Sequence, residues 1–245
     1  MCLLALYFRV ARDAPVVVGA NREEFYARGG EPPAIVDGPV RALAGLDPRA
    51  GGTWLGVNEH GVLAAVTNRP KEVVPPQPRS RGLLTRSLLG CASASEAVTL
   101  ATRELGSYRY DGCNLLLVDR TAAYAILAGD WLRVRPLPPG LHVLTASDVN
   151  DGSDRRLGHA LWWLEQRPSE NAGQCLAALR ELCGQTGPVD PPICLHGTDR
   201  GTVSSTLVAL HDSLPQSQYL HAQGPPDKTP YEDYSHLLKS IVRSP

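Results

Sequence analysis

A cysteine at position 2 is one processing step away from being a chain terminus. If Met1 is removed, thiol and α-amine belong to one residue. An amine with a pKa of about 7.7–8.0 can take the thiol proton, and the resulting thiolate is the better nucleophile. Such a nucleophile also needs a donor for the oxyanion of a tetrahedral intermediate, and polar groups that orient amine and substrate. Asn21-Arg22-Glu23-Glu24 is a cluster of that kind and follows directly on the apolar run Val16 to Ala20. The competing reading of the same residues is a chance cysteine and a polar turn after a strand. Residue chemistry alone leaves both open.

The elements that must position these groups begin with a β-hairpin. Cys2 to Phe8 and Val16 to Ala20 are apolar runs of strand length separated by a polar turn around Asp13. A hairpin can bring the polar end of its second strand beside the start of its first, which is where Cys2 sits. Trp54 to Val57 and Val62 to Thr67 read as a second hairpin, with Gly61 supplying the positive φ of the turn. The proline-rich stretch Arg69 to Gly82 reads as a stiff surface loop. Ser80 and Ser93 read as helix N-caps, the second with Glu96 in capping-box position and Gly106 as stop. Asn114 to Val118, Ala122 to Leu127, Trp131 to Val134 and His142 to Thr145 form a predicted strand meander. Leu157 to Glu165 and Gln174 to Cys183 form a second helix pair closed by Gly184. Val203 to Leu210 is a late strand and Tyr231 to Val242 an amphipathic terminal helix. Strand runs alternating with helix pairs, without a strict β-α-β rhythm, imply an α+β fold with helices packed on antiparallel sheets. With no internal repeat and no composition break, residues 1–245 are expected to form a single domain.

The chain's 24 basic and 25 acidic residues leave a net charge of -1, so there is no basic excess to neutralise nucleic-acid phosphates or dock on an anionic membrane. No nucleic-acid partner is expected. The apolar run Leu3 to Phe8 is far shorter than the roughly 20 residues of a membrane span and has no basic segment before it, so a cytoplasmic protein is expected. The internal cysteines Cys91, Cys113, Cys175, Cys183 and Cys194 have irregular spacings and read as small buried hydrophobes. His60, His142 and His159 have no ligand-spaced partner on one helix, and Cys194-Leu-His196 has only a one-residue gap. No metal and no cofactor is therefore expected. The glycine pairs at 29–30 and 51–52 lack phosphate-loop context and read as turns.

Met1-Cys2, Gly19-Ala-Asn-Arg-Glu-Glu24, Gly51-Gly-Thr-Trp-Leu-Gly-Val-Asn58, Gly61 and Thr67-Asn-Arg69 resemble the NRDE family. That family is named for an Asn-Arg-Asp-Glu motif and includes the transport and Golgi organisation protein 2 group. Asn114-Leu-Leu-Leu-Val-Asp119 and Gly201-Thr-Val-Ser-Ser-Thr206 extend the resemblance along most of the chain, with the specific matches lying before Pro70. More distantly, Cys2, Gly19 to Asn21, and Gly56 to Gly61 with Asn68 are similar to the cysteine N-terminal-nucleophile amidases of the choloylglycine hydrolase and penicillin V acylase type. This resemblance implies a four-layer αββα sandwich, two antiparallel sheets between helical layers, with the nucleophile at a strand start. It implies Cys2 as nucleophile with its own amine as base, Glu23 where those amidases place an Asp, and Asn68 where they place an oxyanion-side Asn. Asn21, Arg22, Glu24 and Asn114 are the accompanying substrate-binding candidates, Arg22 because its fork suits bidentate pairing, either to hold a carboxylate or to orient Glu23. Two departures stand out. Glu23 is one methylene longer than Asp, and Ala20 stands where the amidases carry an Arg, so their substrate chemistry does not transfer.

Two functions follow as expectations. One is a hydrolase of a linear amide or related acyl bond, passing through an acyl-enzyme on Cys2. The other is a non-catalytic binder or carrier on the same scaffold, for which the family's links to haem movement and to acyl-CoA and lipid metabolism imply haem or acyl-CoA as ligand. Oligomeric state is not legible in the sequence.

Overall fold

The computed structural model describes residues 2–242, so the expected removal of Met1 lies outside the described residues. The chain opens with β1 (Leu3–Phe8) and β2 (Val16–Phe25), then β3 (Glu31–Val36), β4 (Ala42–Leu46), β5 (Leu55–Asn58) and β6 (Leu63–Asn68). The helices α1 (Arg81–Leu88) and α2 (Ala94–Ser107) follow, then β7 (Cys113–Val118), β8 (Ala123–Ala128), β9 (Leu132–Pro136) and β10 (Gly140–Leu144). The last part holds α3 (Arg155–Glu165), α4 (Ala172–Cys183), β11 (Arg200–Leu210), β12 (Gln218–Ala222), β13 (Glu232–Asp233) and α5 (Ser235–Ile241).

These strands build two antiparallel sheets. One has six strands in the order β10-β1-β2-β11-β12-β13, the other seven in the order β3-β4-β5-β6-β7-β8-β9. Strand alternation explains the layering. On β1, Leu4, Leu6 and Phe8 face the second sheet and pack with Leu43, Leu55, Leu63, Leu116 and Val118. The intervening Leu3, Ala5 and Tyr7 face the other way, onto Leu157, Ala160, Leu176 and Leu179 of α3 and α4. The second sheet repeats the arrangement, with Ala42, Ala64, Leu115 and Leu117 packing on Leu84, Leu88, Ala97 and Ala101 of α1 and α2. Because both faces of the central strands are covered, their sequences are continuous apolar runs rather than alternating ones. The result is the expected αββα sandwich. No helix among the described residues is long and apolar enough to cross a membrane.

The two serine N-caps form as read: the side chains of Ser80 and Ser93 accept the N–H groups of Leu83 and Glu96, while the Glu96 carboxylate accepts the N–H of Ala92 rather than that of Ser93. Gly61 turns with φ +78°. Several boundaries differ from expectation; α2 runs through the expected stop at Gly106 to Ser107, and two other differences are larger. The Asn21 to Glu24 cluster is not a turn after β2 but its continuation, because β11 pairs with it out to Phe25. The terminal helix starts at Ser235 rather than Tyr231, since Glu232 and Asp233 pair with β12.

Candidate active site

The register of the opening hairpin sets Leu3 opposite Asn21, which carries Cys2 to the level of Arg22 and Glu23. The Glu23 backbone N–H lies 3.4 Å from Cys2 Sγ and donates to it. Cys2 is half-buried. Burial raises its thiol above the ordinary value, and the neighbouring Glu23 charge adds to that rise, while the Glu23 backbone hydrogen bond and the Arg22 charge oppose it. The thiol is therefore neutral near pH 7 and reacts only with a base to take its proton.

Alternation decides where the rest of the cluster points. Val16, Val18 and Ala20 face the inter-sheet core, so Arg22 and Glu24 continue that face, while Asn21 and Glu23 continue the face covered by α3 and α4. The Arg22 guanidinium lies 4.4 Å over the Trp54 ring, donates to Gly29 O at 2.9 Å and pairs with Glu24 at 3.7 Å. Between β2 and β11 the register shifts at Thr202 to Ser204, a bulge beside the cluster of the kind that re-aims side chains near functional sites.

Glu23 borders the cavity, yet its carboxylate reaches the helical layer. There it makes a two-pronged pair with Arg156, through Nη1 at 3.1 Å and through Nη2, with both side chains almost wholly buried. Arg156 Nη2 also donates to Ile193 O at 2.6 Å. Asp154 caps the N-terminus of α3, accepting the N–H groups of Arg156 and Leu157, and receives the hydroxyls of Thr145 at 2.6 Å and Ser147 at 3.0 Å. The first turn of α3, which carries Arg156, is thus anchored to the end of β10. Arg156 was not among the sequence candidates because its partner is 133 residues away. One signal was present: Arg156 precedes Ala160 and Leu164 at helical spacing, so an arginine sits on a buried apolar stripe.

Cys2, Arg22, Glu23, Glu24 and Asn68 line one cavity of about 290 Å³, walled further by Trp54, Asp47 and the Arg79 to Gly82 segment. Asn68 is the exposed last residue of β6, and its side chain makes no hydrogen bond among the described residues. Trp54 takes its place only because position 45 is glycine: a Cβ there would lie 2.4 Å from the indole. The wall's charges are paired, Arg28 with Asp47 at 2.7 Å and Arg81 with Asp111 at 3.5 Å.

Two of the sequence candidates lie elsewhere. Asn21 is buried on the helical side, and its amide donates to Cys183 O at 2.8 Å and Ile193 O at 3.1 Å. Asn114 is fully buried on β7; it donates to Thr145 O at 3.1 Å and Ser147 O at 2.9 Å and accepts from Arg69 at 3.2 Å. The Ser/Thr stretch on β11 is likewise engaged, with the Ser205 hydroxyl 2.6 Å from that of Tyr231 and Thr206 2.9 Å from His221 Nδ1. A metal-capable grouping, Cys194, His196 and Asp227, lies outside the cavity lining.

Among solved structures, the fold is similar to penicillin V acylase from Agrobacterium tumefaciens, with TM-score 0.60, 14% identity, and 99% of this chain and 88% of that one covered. It is also similar to a Caenorhabditis elegans N-acylethanolamine-hydrolyzing acid amidase ortholog, with TM-score 0.57, 15% identity and coverage of 84% and 92%. A conjugated bile acid hydrolase mutant from Clostridium perfringens gives TM-score 0.55 at 13% identity, covering 96% and 93%. At these identities the likeness establishes the fold, that of the N-terminal-nucleophile hydrolases. In sequence, the chain is 32% identical over 130 residues to the human Transport and Golgi organization protein 2 homolog, covering 50% of this chain and 47% of that protein. The mouse homolog is 32% identical over 126 residues, covering 49% and 45%. The matched segment spans just under half the length of these relatives. The model of the Transport and Golgi organisation 2 family matches residues 1–184, which take in the opening hairpin, the cavity and Arg156, and the chain belongs to that family.

Proposed function

We propose that this chain hydrolyses a linear amide or related acyl bond, with Cys2 as an N-terminal nucleophile. One observation carries the reading: Cys2 Sγ borders a cavity while it receives the Glu23 N–H, and the Glu23 carboxylate beside it is clamped by Arg156. With Met1 removed, the Cys2 amine takes the thiol proton and Sγ attacks the substrate carbonyl. The carbonyl π electrons move to oxygen, and Asn68, at the same cavity, supplies an amide donor to that oxyanion. Collapse expels the leaving amine, which takes the proton from the Cys2 ammonium, and leaves an acyl thioester. Water, deprotonated by the same amine, then adds to the thioester carbonyl; the C–S bond breaks, the Cys2 sulfur takes back the proton from the ammonium, and the acid departs. Glu23 acts as a positioning residue, its fixed negative charge stabilising the ammonium that forms in each half-reaction. Arg22, stacked on Trp54, and Glu24 shape the side of the cavity where the leaving portion lies.

Intact mass of the purified chain, before and after an electrophilic acyl probe, tests the reading. The expected result is loss of the Met1 mass, one acyl adduct on the wild type and none on Cys2→Ala. Quantitative retention of Met1, or equal labelling of Cys2→Ala, overturns it. Saturable haem or acyl-CoA binding without any product from a panel of acyl amides would instead favour the carrier reading.

A further inference from the structure

We propose that Cys194, His196 and Asp227 form a binding site for a divalent transition-metal ion, zinc by the chemistry of the donors, with a fourth coordination position open to solvent. The three ligand atoms lie within 4.8 Å of one another. Cys194 Sγ is 3.8 Å from His196 Nε2 and 3.1 Å from Asp227 Oδ1, and Nε2 is 2.9 Å from Oδ2. Bonds of 2.0–2.3 Å from a tetrahedral zinc to sulfur, nitrogen and oxygen put neighbouring donors about 3.3–3.6 Å apart; the sulfur-to-ring separation is within a few tenths of an ångström of that, and a turn of the Asp227 carboxylate, whose two oxygens now face sulfur and ring separately, would bring one oxygen into the set.

The same residue types could instead make a nucleophile-base-acid relay, and the geometry argues against it. In a relay the two ring nitrogens of the histidine face different partners. Here sulfur and carboxylate both face Nε2, so the three donors converge on one point. Cys194 is fully buried, while the side chains of His196 and Asp227 are 34% and 16% exposed, which leaves an approach from solvent.

The backbones that carry the donors are held independently of the site. Cys194 N–H donates to Gln185 O at 2.7 Å, Leu195 N–H to the Thr202 hydroxyl at 2.9 Å, and Thr202 N–H to Leu195 O at 2.7 Å. Asp227 lies in a turn closed by the Lys228 and Thr229 N–H groups on Pro225 O. As the structure stands, the Cys194 thiol donates to Asp227. On binding, the thiol proton leaves to solvent, the metal–sulfur bond takes its place, and no oxidation is involved. The ion would join the segment at 193–196 to the turn at 225–228. Ile193 O in that segment receives both Asn21 and Arg156, so the link would brace the support of the Glu23 pair without touching the cavity.

The test is a cobalt(II) titration of the chelator-treated full chain. Thiolate-to-cobalt charge-transfer absorption and intense four-coordinate visible bands should grow to one equivalent, and zinc should bleach both. Cys2→Ala should retain the signal, which separates this site from the cavity thiol. Cys194→Ser should lose the charge-transfer band. Because a buried cysteine is a demanding position, His196→Ala on the surface gives a second variant. It should bind zinc about tenfold or more weakly, since loss of a direct ligand costs at least as much as loss of a supporting contact. It should also lose the zinc-dependent rise in Tm seen for the wild type. No charge-transfer band in the wild type, a band that survives Cys194→Ser, or unchanged zinc affinity in His196→Ala each overturns the proposal.

Discussion

At the scale of single residues, the proposed chemistry turns on a thiol that burial keeps protonated and an amine that must be neutral to deprotonate it. The acylation rate should therefore rise with pH through the amine's titration, near or above the ordinary 7.7–8.0 or so. Glu23 favours the ammonium form, so Glu23→Gln should move the midpoint of the kcat/KM profile to lower pH while lowering the plateau; an unmoved midpoint would remove Glu23 from the mechanism. Arg156→Met tests the partner. It strands a buried carboxylate, a loss of about 3–5 kcal/mol that denaturant titration would read. Gly45→Ala acts on a different atom: the new methyl meets the Trp54 indole, so Trp54 must leave its place under Arg22. Substrate KM should rise with the global Tm changed much less than in Arg156→Met. Five of the seven candidate residues line one cavity because a hairpin register and a strand end bring them there. Asn21 turned the other way for a reason that reading the cluster as a turn concealed: on a strand, neighbours face opposite sides. Asn114 and Arg156 depend on contacts across many residues, which local chemistry does not reveal.

At the scale of elements, α3 is held in place by its cap. Asp154 accepts two backbone N–H groups and two hydroxyls, and removing it should cost about 0.5–2 kcal/mol from the cap alone. Burial alone would raise this carboxyl, but the Thr145 hydroxyl, the Leu157 N–H, the Ser147 hydroxyl and the Arg156 N–H outweigh it and hold it below the ordinary range. A depressed folded-state pKa means that the contribution is present above the unfolded value, about 3.9, and is lost as pH falls through the folded one. Asp154→Ala should thus lower stability at pH 7 and narrow its gap to the wild type below about pH 4; an equal gap at both pH values would place the anchor elsewhere. The elements that sequence patterning made legible are those with long apolar runs or strong caps. Those it concealed have physical reasons. β3 contains Pro32 and Pro33, which argue against a central strand and are tolerated here because β3 is an edge. β4 is short and rich in alanine and glycine, and β12 is a five-residue segment with polar Gln218 and His221.

At the scale of the whole molecule, the layer order follows from apolar runs that must be covered on both faces, whereas the strand order does not. β2 pairs with β11 across some 180 residues, and nothing local announces it. That same long-range sheet sets an acid limit on the fold through His221, which is buried on β12, 2.9 Å from the Thr206 hydroxyl on β11 and 2.8 Å from Gln223. Burial lowers the affinity of this imidazole for a proton, against the smaller opposing pulls of Gln223 and Glu232. When the folded chain binds a proton less tightly than the unfolded one, protonation favours unfolding. Stability is then full above the unfolded value of about 6.5 and falls as pH drops below it toward the folded value. The carboxylates begin to add their own losses only near pH 4, so acid softening should start about two pH units earlier than they would dictate. Chemical denaturation between pH 7.5 and 5 should show the decline, and His221→Gln should lower stability at pH 7.5 yet flatten the pH dependence over that window. A decline that survives the substitution would assign the acid limit to a different group.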